Sequence, residues 1–173
     1  MARNDFSSPR KNAFLSSLPK DSISTSDITT RCKFNFSYLD ISQEWSSDFI
    51  DLNTCSGQSK LLKLIDKIKE FSRQPLKHWE KQPIGKGKQG GKGKRQSCLE
   101  IYGDFPQNSG FSHPPHVPDD VLWGRFRIDN ETRLAGFIIP KEFDGKLSEH
   151  GIVYDLNTFY VVFLDENHKF YQI

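Results

Sequence analysis

Trp123-Gly-Arg-Phe-Arg-Ile-Asp-Asn-Glu-Thr-Arg-Leu134 reads as two short strands joined by a turn. Val121 to Ile128 alternates apolar with polar residues, and so does Thr132 to Pro140. Such alternation is the mark of a strand with two unlike faces. Asp129-Asn130-Glu131 between them is a turn signal, so the two strands are expected to pair as an antiparallel hairpin. Within a strand, residues two apart share a face. Arg125 and Arg127 therefore fall on one side with Trp123, while Phe126 and Ile128 point to the other. Leu134 is expected inward on the partner strand, which puts Arg133 with the first two arginines. The hairpin is expected to have an apolar side and an open cationic side.

Downstream, Phe159-Tyr-Val-Val-Phe-Leu-Asp-Glu-Asn-His-Lys-Phe-Tyr171 opens as a nearly continuous apolar run suited to the interior of a sheet, then leaves it at His168 and Tyr171. Upstream, Cys32 to Leu39 and Cys98 to Tyr102 also alternate as strands. Leu61, Leu64, Ile65, Ile68 and Phe71 form one helical stripe beginning near Ser59. Pro75 must end that helix or start the next, because its ring cannot continue an established one. A short turn over Leu76 to Lys81 would carry Trp79 as a packing anchor. Residues 42–51 read as a short helix or loop, 103–120 as a Pro-punctuated loop, and 141–157 as a polar excursion. Residues 1–30 lack any sustained period and are expected to be a flexible extension ahead of a domain over 31–173. The order of elements predicts an α+β domain: an antiparallel sheet with one or two N-terminal helices on one face.

A chain of 173 residues can bury a core without covalent staples, and 14 Phe, 5 Tyr and 3 Trp offset a hydrophobic content of only 35%. No apolar run is long enough to cross a bilayer. The absence of an apolar signal core and the three scattered cysteines suggest a cytoplasmic protein. The net charge of +2 hides an asymmetry: Lys60 to Arg95 holds twelve Lys or Arg against three acids, so the rest of the chain is acidic. Ile84-Gly-Lys-Gly-Lys-Gln-Gly-Gly-Lys-Gly-Lys-Arg95 concentrates that charge without the spacing of a nucleotide-binding loop. Its Lys86, Lys88, Lys92, Lys94 and Arg95 are candidate phosphate contacts, which give affinity without sequence selectivity; a plain linker is the competing reading. His113 and His116 flank a Pro-Pro pair, but no further ligands accompany them, so neither metal nor cofactor is expected.

Three guanidiniums near an imidazole and a phenol suit phosphodiester chemistry. Arg matches phosphate with a planar fork, and His exchanges protons near neutral pH. The hairpin, the apolar strand and the terminal His-Lys-Phe-Tyr together resemble the RelE/ParE superfamily of toxins, especially its YoeB branch, over 31–95 loosely and 121–171 more closely. The resemblance implies a RelE-like fold, messenger-RNA endonuclease activity (often on the ribosome) and a cognate antitoxin. It also implies catalytic roles for Arg133, Arg127, His168 and Tyr171, with Arg125 and Lys169 beside them on the RNA. In that branch the His and Tyr are adjacent, whereas here Lys169 and Phe170 separate them; no residue is matched to the family's glutamate, for which Glu80 and Glu100 lie in the interval. Two other readings stand beside it: a binding module on the same fold without catalysis, and a ParE-like inhibitor of DNA topology.

Overall fold

The computed structural model describes residues 8–17, 22–53, 59–84 and 96–172. Its elements are helix α1 (Pro9–Ser17), strand β1 (Lys33–Asn35), helices α2 (Lys60–Phe71) and α3 (Leu76–Lys81), and strands β2 (Leu99–Gly103), β3 (Leu122–Arg127), β4 (Arg133–Ile138) and β5 (Thr158–Asp165). Thus α1 lies inside the stretch expected to be an extension. Residues 42–51 contain no helix, and Lys141–Phe143 adds one 3-10 turn to the later excursion.

The five strands form one sheet in the order β1-β5-β4-β3-β2. β2, β3, β4 and β5 pair antiparallel, as expected, but β1 runs parallel to β5 with Lys33 opposite Thr158. The sheet is therefore mixed, which corrects the expectation of an antiparallel one. The reason is physical. A tight turn forces antiparallel pairing only between neighbours in sequence, whereas residues 36–157 separate β1 from β5.

α2 and α3 cover one face. Leu64, Phe71, Leu76 and Trp79 pack with Phe126, Leu134, Phe159 and Leu164 in a single buried cluster. Pro75 occupies the N-cap of α3, and the Trp79 indole donates to the Phe71 carbonyl at 2.8 Å, tying the two helices together. The helical stripe is only partly inward: Ile65 remains exposed.

The other face is not open. Trp123, Ala135, Phe137 and Phe163 project there and are roofed by Phe111, Val117 and Phe170 in a second buried cluster. Trp123, expected on the cationic side, is 1% exposed. Two devices build this roof. The 103–120 loop sends in Phe111 and Val117. The buried carboxylate of Asp165, at the end of β5, accepts backbone N–H bonds from Asn167, Lys169 and Phe170 at 3.0, 3.0 and 2.9 Å. That turn folds the C-terminal segment back over the sheet, and His168 takes the left-handed backbone (φ 55°) it requires.

The β3–β4 hairpin forms as read. Arg127 pairs with Arg133, and the Asp129 carboxylate accepts from the Glu131 and Thr132 amides at 2.9 and 2.7 Å. Between β4 and β5 the register slips at Ala135/Gly136, and Gly136 there lies against the Tyr160 carbonyl with no room for a Cβ.

Candidate nucleic-acid interface

The hairpin register places Arg125 opposite Ala135 and Arg127 opposite Arg133. Alternation then sets all three arginines on the second face, at the turn end of the hairpin and beyond the aromatic roof. Their surroundings differ.

Arg133 is almost fully buried. Its guanidinium donates to the carbonyls of Asp129 at 2.7 Å, Thr132 at 2.9 Å and Asn130 at 3.4 Å, closing the turn. Burial, followed by the neighbouring Arg127 and Arg125, pulls its pKa down to about 10. Arg127 is half-buried, donates to the Gln96 side chain at 2.5 Å, and reaches the Asp129 carbonyl at 3.3 Å. Among the described residues neither Arg127 nor Arg133 has a carboxylate within ion-pair distance. Two guanidiniums that repel each other, with Asp129 and Asp165 near but outside ion-pair distance, form a place where a phosphate would be stabilised.

Arg125 is paired. Its Nε and Nη2 both lie 3.0 Å from Glu100 Oε2, to which the Tyr102 hydroxyl also donates at 2.9 Å. The guanidinium stands 5.6 Å from the ring centres of both Tyr102 and Tyr171, which stack at 4.1 Å and 2°. Burial pushes the Tyr102 phenol well up from its usual value, so it remains a neutral donor. Tyr171 is 37% exposed and is the outer ring of this stack. A cavity of about 320 Å³ opens next to Arg127, between the helices and the turn, with Lys67, Gln82 and Asn130 on its walls.

Arg125, Arg127, Arg133 and Tyr171 thus come together. His168 does not join them: it is exposed on the Asp165 turn, and among the described residues its side chain has no hydrogen bond, ion pair or ring contact. Lys169 is turned towards Trp45, its ammonium 4.8 Å from the ring centre. Lys86, Lys88, Lys92, Lys94 and Arg95 lie outside the described residues. Lys60 is held by Glu166 at 2.6 Å and Glu131 at 3.4 Å, so part of the helix charge is neutralised. His113 packs edge-on against Phe105 and Trp123, and His116 stacks on Tyr38. Among the described residues no group of three or more His, Cys, Asp or Glu could hold a metal ion.

Sequence reasoning missed Glu100 as the partner of Arg125, and with it Tyr102 and Gln96. The signal was present: the alternation of Cys98 to Tyr102 puts Glu100 and Tyr102 on one face, and pairing with β3 brings Glu100 opposite Arg125. No protein-family model, curated protein or solved structure matches this chain.

Proposed function

We propose that this chain is a metal-independent endoribonuclease of the RelE/ParE type, acting in the cytoplasm on messenger RNA and restrained by a cognate antitoxin. The observation that carries the reading is the trio of arginines on one hairpin face, two of them without a carboxylate partner among the described residues, beside a stacked tyrosine pair. Stacked phenols accept nucleobases, and guanidiniums hold the phosphate between them. In the proposed reaction Glu100 takes the proton of the RNA 2′-hydroxyl. The 2′-oxygen bonds to phosphorus, and the bond to the 5′-oxygen breaks. Arg127 stabilises the charge that builds on the phosphoryl oxygens, buried Arg133 adds to the positive field behind it, and a water molecule gives a proton to the leaving oxygen. The products are a 2′,3′-cyclic phosphate and a 5′-hydroxyl.

The test is cleavage of RNA in excess chelator, with the ends of the products mapped. Arg127→Ala is expected to lower the rate by about a hundredfold or more and Glu100→Gln by a comparable factor. Undiminished cleavage by the double variant would end the proposal. A second reading, an RNA- or protein-binding module without catalysis, is favoured by one observation: Glu100 is already engaged by Arg125 and Tyr102. Retained RNA binding without cleavage, and no growth arrest on expression, would select it.

A further inference from the structure

A second concave site lies at the opposite end of the same sheet face, away from the arginines. Its cavity, of about 300 Å³, is lined by Tyr38, Phe137, Phe143, Tyr154 and Tyr160, with Asp120 on its rim. The rings are arranged as walls. Phe137 and Tyr160 stack at 4.8 Å and 7°, and Tyr38 meets both edge-on at 5.1 and 5.7 Å. Phe143 and Tyr154, carried in by the 141–157 excursion, form a second pair at 5.0 Å. Among the described residues none of the three tyrosine hydroxyls has a hydrogen-bond partner.

Asp120 is the only charged side chain among the described lining residues, and it has no ion-pair partner among the described residues; the exposed Glu142 and Asp144 beside Phe143 are matched by Lys141 and Lys146. One ring already accepts an ammonium: Lys146 Nζ stands 5.3 Å from the centre of Phe143. Aromatic faces attract cations through the ring quadrupole, and the unpaired Asp120 carboxylate on the rim reinforces the attraction. Beside the cavity, Leu147, Ile152 and Val153 are exposed on the same excursion, an apolar ridge that a free small ion would not need.

We propose that this cavity is a receptor for an organic cation, presented as a lysine or arginine side chain of a partner polypeptide that lies along the apolar ridge. The site is independent of the RNA reading, since it shares no residue with the arginine face.

The test uses the full chain and three pentapeptides with glycines flanking a central arginine, lysine or citrulline, followed by tyrosine fluorescence and NMR; choline and adenosine serve as separate probes. Saturable binding of the arginine or lysine peptide is expected, at least about fivefold weaker for neutral citrulline. Tyr154→Ala should abolish it, and the exposed Asp120→Asn should weaken it about threefold, both with unchanged near-ultraviolet dichroism of the buried tryptophan. Equal binding of the citrulline peptide would overturn the cation, and tighter binding of choline than of either basic peptide would overturn the polypeptide source. Displacement by adenosine would hand the cavity to a nucleobase and likewise overturn the proposal. Absence of saturable binding by any basic peptide would do so as well.

Discussion

Arg133 has a structural part that stands apart from its proposed chemistry. Its guanidinium satisfies three turn carbonyls from a buried position, so removing it strands acceptors away from water. Each such orphan costs about 1–3 kcal/mol. Arg133→Ala is therefore expected to lower stability by roughly 2–3 kcal/mol in urea unfolding, and lost activity in that variant would say nothing about catalysis. Arg127→Ala, half-buried and bonded mainly to Gln96, is expected to change stability by less than about 1 kcal/mol while taking away RNA affinity. Cys32 gives a pH prediction. Burial pushes its thiol up to about 12, so between the unfolded value near 9 and that point the folded state holds a proton the unfolded state has lost. Stability is full below pH 9 and falls as pH rises, at up to about 1.4 kcal/mol per pH unit. Cys32→Ala should flatten that slope in urea midpoints measured from pH 8 to 10.5; an unchanged slope would remove Cys32 as its source.

At the scale of elements, β4 is the least tolerant strand. Every residue in it is buried, and Gly136 abuts the β5 backbone where the register slips. A methyl there must push against backbone rather than a movable side chain, so Gly136→Ala is expected to cost about 2 kcal/mol or more by urea titration. Which elements were legible follows from the range of the forces that make them. α2 could be read from the spacing of Leu61, Leu64, Ile68 and Phe71, and the hairpin from Asp129 and the alternation around it, because both are local. The direction of β1 was not legible, since no turn links it to β5. The burial of Trp123 was hidden for the same reason: its cover comes from Phe111 and Phe170, remote loop residues that alternation within β3 cannot report. The arginine face was half legible. Its register came from the hairpin, but Glu100 reaches Arg125 only through a β2–β3 pairing that spans the long Pro-rich loop.

Taken whole, the molecule is one sheet between two unlike layers, helices on one side and a roof of loops on the other. The roof depends on Phe170, fully buried among Trp123, Phe105, Phe111 and Phe163. Phe170→Ala is expected to cost about 3–5 kcal/mol and to blunt the near-ultraviolet dichroism of Trp123; a loss below 1 kcal/mol would mean that the roof adds little to the fold. The parallel pair of β1 and β5 joins an early strand to the last one, and long-range pairings of this kind close late in folding. A nascent chain that stops short of Thr158 lacks the neighbour of both β1 and β4. Only β4, β3 and β2 can then pair, so the arginine face of a protein proposed to cut RNA would lack the aromatic roof beside it until β5 and Phe170 have been made.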